Sequence, residues 1–68
     1  MDYLIIYDLP REKSSLLVKI NRELHKIGAE RIQHSIWESK KLDNLKDIAE
    51  LIRDNGGEAM VLEENVVF

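Results

Sequence analysis

A run with no polar break, Tyr3-Leu4-Ile5-Ile6-Tyr7, ends on Asp8, and the chain then turns at Leu9-Pro10 into an amphipathic segment. A strand without polar alternation is covered on both faces, or on one face plus a partner, and so belongs in the middle of a sheet. Its end is one of the few places where a charge reaches solvent. The Asp8 carboxylate is therefore the first candidate for chemistry. The alternative is that Asp8 only starts the turn, its side chain accepting a backbone N–H there.

Downstream, the apolar period changes from strand to helix and back. Leu16, Leu17, Ile20, Leu24 and Ile27 recur at helical spacing, and Gly28 stands where a left-handed cap stops a helix, which predicts a first helix from Arg11 to Ile27. An extended segment from Ala29 to Glu38 follows, with a break at Gln33-His34-Ser35 that splits it into two short strands. Leu42, Leu45, Ile48, Ala49 and Ile52 form a second helical stripe closed by Asn55-Gly56-Gly57. The last strand is expected from Ala59 to Leu62, before Glu63-Glu64-Asn65 and an apolar tail.

The order strand, helix, strand, strand, helix, strand is most simply satisfied by an α+β ferredoxin-like split βαβ sandwich, a single domain spanning 1–68. It has one antiparallel sheet, strands one and three in its centre, and two helices on one face. The other face is left bare. With 68 residues and no cysteine, the chain has neither a disulfide frame nor a thiolate metal site to compensate for a small core. The economical cover for the bare face is a second copy, giving a homodimer. Val66, Val67 and Phe68 fit that expectation as a dimer interface, three apolar residues after a turn that bury against a partner subunit or share its edge strand. The plain alternative is a frayed tail. The apolar run of the first strand is too short for a bilayer and no charged-then-apolar leader precedes it, so the chain reads as a cytoplasmic protein with no membrane partner.

Ten basic and thirteen acidic residues give a formal net charge of −3, which argues against a general nucleic-acid coat but not against a local basic patch. Arg11, Lys19, Arg22 and Lys26 share a stripe away from the first apolar face, and Asp43, Asp47, Glu50 and Asp54 do the same on the second helix. The basic stripe suits a phosphate backbone, while the acidic one would orient nucleic acid by repulsion or dock a basic partner. Alternatively both are ordinary solvated faces, with Lys19 paired to Glu23 and Lys46 to Glu50. His25 falls outside the apolar stripe and His34 at the strand break, with no third ligand at a zinc spacing. Trp37 is more a core residue than a base-stacking platform. Arg31 and Ser35 alternate with Ile32 and Ile36, so they are expected on the opposite sheet face, to meet a partner or a nucleic-acid groove.

The strand Leu4-Ile5-Ile6-Tyr7-Asp8, the helix end Leu24-His25-Lys26-Ile27-Gly28 and the stretch Arg31-Ile32-Gln33-His34-Ser35-Ile36-Trp37-Glu38 together resemble the CRISPR-associated Cas-two family, the small adaptation protein that partners the spacer integrase. In that family the first strand typically ends Tyr-Asp, and the second reads Arg, aliphatic, Gln, any residue, Ser, aliphatic, aromatic. The resemblance covers Leu4 to about Leu45. It implies a ferredoxin-like homodimer whose two Asp8 residues face each other across the axis and share a magnesium ion, serving as a metal-dependent endonuclease or as a structural bridge for duplex DNA. Tyr7 and Asp8 fall on the Tyr-Asp pair, Arg31 and Ser35 on the second-strand polar positions, and Trp37 on the usual phenylalanine. Nucleic-acid contacts are expected from Tyr7, Arg11, Lys19, Arg22, Lys26, Arg31 and Ser35, to DNA or RNA. Departures from the family pattern are the segment Leu9-Pro10-Arg11-Glu12-Lys13, which is poorer in arginine, and an end at Phe68 where family members usually continue into a further strand. The competing functions are a ribonuclease toxin of the same fold and a non-catalytic interaction module.

Overall fold

Periodicity sets the element order, and pairing sets the faces. A computed structural model describes residues 1–65 and 67. It contains β1 (Tyr3–Asp8), a 3-10 turn (Arg11–Lys13), α1 (Ser14–Lys26), β2 (Glu30–Gln33), β3 (Ile36–Ser39), α2 (Leu42–Asp54) and β4 (Glu58–Glu63). The strands form one antiparallel sheet in the order β2-β3-β1-β4, so β1 and β3 are central as the sequence predicts and the fold is ferredoxin-like. Among the described residues no helix is long and apolar enough to cross a membrane.

Alternation divides β1 between two environments. Ile5 and Tyr7 join Trp37 of β3, Ile20 and Leu24 of α1, and Leu45, Ile48, Ala49 and Ile52 of α2 in a single buried core, which fixes both helices on one face of the sheet. Leu4 and Ile6 point the other way and are half-buried, although among the described residues no helix covers that side. The unbroken apolar run thus has one face packed and one face waiting.

The first helix starts later than its apolar stripe suggests. Pro10 is extended (φ −58°, ψ 145°), the Lys13 amide donates to the Pro10 carbonyl at 2.9 Å, and Arg11–Lys13 winds as a 3-10 turn before Ser14 opens the α-helix. Pro10 supplies a preset φ but no N–H, which suits a tight turn ahead of a helix. Both helices end in the same device. Gly28 and Gly56 adopt left-handed φ of 72° and 85°. Their amides donate to His25 and Arg53, and the next residues, Ala29 and Gly57, donate back to Leu24 and Ile52. This is the Schellman arrangement, which satisfies the last helical carbonyls.

On the edge strand β4, the Ala59 carbonyl is held from outside the sheet. Arg53 of α2 donates to it from both Nε (3.1 Å) and Nη2 (2.6 Å). A fixed planar fork is well suited to such a contact.

Candidate functional site

Asp8 is the exposed last residue of β1, and its backbone partner across the sheet is Glu58 of β4. Directly opposed residues project to the same side, so the two carboxylates share the helix-free face. A hollow of about 190 Å³ there is lined by Ile6, Tyr7, Asp8, Glu58, Ala59 and Met60. A second hollow, lined by Gln33, His34, Ser35 and Ile36, opens on the other side of Ile6. The end of β1 can approach the start of β4 because Gly57 has no side chain. A Cβ at that position would lie 2.7 Å from the Asp8 carbonyl oxygen and 2.7 Å from Ile52 Cγ2.

Ile6 is flanked by Ile36 and Met60, and Leu4 by Glu38 and Leu62, which makes an apolar field in the centre of the helix-free face. Met60 is 53% and Leu62 40% exposed. At the end of this field away from Asp8 lies a second carboxylate group that sequence reasoning missed. Asp2, Glu38 and Glu64 bring one oxygen each to within 4.8 Å of one another, the only such three-ligand grouping among the described residues. The Glu38 carboxyl is raised above its ordinary range, first by a hydrogen bond with Glu64, then by desolvation and the charges of Glu64 and Asp2, with Lys40 opposing. Neither Glu58 nor this triad was visible in the sequence, because cross-strand register alone assembles them.

The expected nucleic-acid contacts divide. Lys19, Arg22 and Lys26 are exposed on α1 and keep the helical spacing of one stripe, whereas Arg11 lies in the 3-10 turn and outside that helix. Glu23 pairs with Lys26 (3.4 Å) and not with Lys19, and no Lys46–Glu50 ion pair forms among the described residues. Both partners of the Lys26 pair are well exposed, so it adds little to stability. Tyr7, expected at a nucleic-acid surface, is 5% exposed and belongs to the core. Its hydroxyl accepts from Trp37 Nε1 (3.2 Å) and donates to Asn21 Oδ1 (3.4 Å), and burial pushes its pKa up against the opposing effects of Trp37 and Arg31. Trp37 is core, as its size suggests, with the His25 ring edge-on at 5.2 Å.

Arg31 lies opposite Trp37 in the register and so stands on the helix side of exposed strand β2, with Nη2 donating to His34 Nδ1 at 2.7 Å. Arg31 and Ile36 do occupy opposite faces, but the face that the helices leave free is that of Ile36. The irregularity between Arg31 and Gln33 shifts the β2 register at this point. Ser35 is half-buried, and its carbonyl accepts from the Tyr7 amide at 3.1 Å. Of the expected interface residues, Val67 is 92% exposed in the single chain, while Val66 and Phe68 lie outside the described residues.

Asp8 and Glu58 offer hard oxygen ligands of the kind magnesium takes, one or two carboxylates beside retained waters and substrate phosphate. No family model matches this chain, and no curated protein matches it.

Proposed function

We propose that the chain is a cytoplasmic, homodimeric nucleic-acid-binding protein of the Cas-two kind, able to serve CRISPR adaptation beside a spacer integrase, with Asp8 as the residue on which any magnesium-dependent endonuclease activity turns. The observation that carries the reading is the place of Asp8. Its carboxylate is exposed at the end of a central strand, across from Glu58, on the one sheet face that the helices leave free. Two copies meeting on that face would cover Leu4, Ile6, Ile36, Met60 and Leu62 and leave both α1 helices outside. The Lys19, Arg22 and Lys26 stripes would then be free to track a phosphate backbone.

Asp8 and Glu58 would hold the metal. When bound, magnesium supplies polarisation of a scissile phosphate and a lowered pKa for bound water. The chain's own contribution is to fix the two carboxylates side by side, through the β1–β4 register and the close approach at Gly57, and to orient substrate through the basic stripe. Among the described residues no histidine or lysine lines the Asp8 hollow as a general base, so turnover is expected to be slow.

The test compares wild type with Asp8→Asn and with the double variant Arg22→Glu/Lys26→Glu in magnesium-dependent cleavage of single-stranded RNA and duplex DNA, alongside duplex affinity across salt. Asp8→Asn should abolish cleavage and leave binding intact or stronger. The double variant should weaken binding and lower the salt slope by about two per engaged copy. Undiminished cleavage by folded Asp8→Asn overturns the metal assignment, and unchanged binding by the double variant overturns the basic stripe. Binding without cleavage in wild type identifies a scaffold.

A further inference from the structure

The turn between β2 and β3 contains a hydrogen bond that fixes the form of a histidine. Arg31 Nη2 and His34 Nδ1 are 2.7 Å apart. A guanidinium has N–H donors, no acceptor and a proton that it does not lose, so Nδ1 is the acceptor. A ring that accepts at Nδ1 is neutral and carries its one proton on Nε2. In a regular strand, residues three apart project to opposite faces and do not touch. The irregularity between Arg31 and Gln33, followed by the turn, brings these two together.

The bond reaches from one side of the sheet to the other. Arg31 stands on the helix side, opposite Trp37, whereas His34 lines a hollow of about 510 Å³ with Ile6, Gln33, Ser35 and Ile36. Ile6 also lines the hollow of Asp8 and Glu58, so the two are neighbours. The Tyr7 amide donates to the Ser35 carbonyl at 3.1 Å, which holds the turn at the Asp8 end of the sheet. A strand that leaves the basic stripe of α1 for Asp8 must round this end, where the turn stands. Both Arg31 and His34 are exposed, and among the described residues Arg31 makes no ion pair. An exposed hydrogen bond adds little to stability, because water replaces either partner. Its consequence is the placement of one N–H donor.

We infer that Arg31 is a positioning residue: it holds His34 in the Nε2–H form, and His34 donates that hydrogen bond to a backbone phosphate oxygen of nucleic acid entering beside Asp8. The inference rests on the nucleic-acid reading above and adds the group that anchors the strand next to the carboxylates. A phosphate arriving there meets the negative charges of Asp8 and Glu58. A fixed donor on the neighbouring hollow supplies a favourable contact at the same end, and a hydrogen bond to a charged oxygen is among the stronger kinds.

Ring nitrogen shifts of His34 by NMR at roughly pH 8, above the ordinary imidazole range, read the tautomer without any ligand. Wild type should show the Nε2–H form alone, and Arg31→Ala should admit the Nδ1–H form. Affinity for single-stranded RNA and for duplex DNA, measured across salt at that pH, reads the contact. His34→Ala should weaken binding about tenfold, and His34→Gln, whose amide nitrogen takes the place of Nε2–H, less than about threefold. Arg31→Ala should fall between them. Because Arg31 acts through His34, Arg31→Ala/His34→Ala should bind no more weakly than His34→Ala, and Arg31→Ala should keep the wild-type salt slope. A slope lowered by about one, or losses that add, makes Arg31 a phosphate ligand in its own right and overturns the positioning role. A proton on Nδ1 in wild type, or wild-type binding by His34→Ala, overturns the inference and leaves the nucleic-acid reading standing. Failure of wild type to bind either nucleic acid overturns that reading itself.

Discussion

The two faces of the sheet are made by the same strands from alternate residues, yet they differ in nearly every physical respect. On the helix side, Ile5, Tyr7 and Trp37 are 0–5% exposed, and the indole and phenol dipoles are matched within the core. On the free side, Leu4, Ile6, Ile36, Met60 and Leu62 are similarly apolar but only partly covered, and acidic groups bound them. Hydrophobicity alone does not mark a residue as part of the fold's own core. The helices decide which half of an apolar strand stabilises the chain and which half stays open.

The largest expected effect comes from the packed face. Trp37→Ala should cost about 3–5 kcal/mol by removing a large buried side chain and leaving a cavity, and urea unfolding should show most of the chain's stability lost. A loss as small as that of an exposed residue would break the contrast between the faces. At their junction, Gly57→Ala should cost about 1–3 kcal/mol, because its new Cβ meets the Asp8 carbonyl and Ile52 with no room to spare. A fall in Tm of about 5–20 °C would register it. Smallest for the single chain is the double variant Met60→Glu/Leu62→Glu on the free face. Measured on monomer, it should change stability by less than about 1 kcal/mol. If two copies pair on this face as proposed, cross-linking of wild type at high concentration should give a dimer band that the double variant loses. A large loss of monomer stability would mean that this face is part of the core after all.

What the sequence made legible follows from what one-dimensional patterns encode. Helical stripes around Ile20–Leu24 and Leu45–Ile52, and the glycines that stop them, are local, and the two helices and the central β1 were readable from them. Helix α1 began three residues later than its stripe suggested because Pro10 organises a 3-10 turn. Tyr7 was misplaced for a different reason. A strand with no polar residue until Asp8 offers no alternation to say which parity faces the helices, so the core tyrosine and the free-face Ile6 look alike in sequence. Glu58 and the Asp2, Glu38 and Glu64 group depend on β1–β4 and β1–β3 register, which brings together residues tens of positions apart and leaves no trace in spacing.

The Arg53 fork on the Ala59 carbonyl also bears on whether the sheet can be extended. An edge strand with free backbone groups invites another strand to extend the sheet, and a sheet that can be extended head to tail need not stop at two copies. Because Arg53 occupies an acceptor on β4, an incoming strand must first displace a charged, two-pronged donor. Extension of the sheet along this edge is thereby disfavoured, and a side chain on the outer layer guards a strand that the sheet's own pairing leaves open.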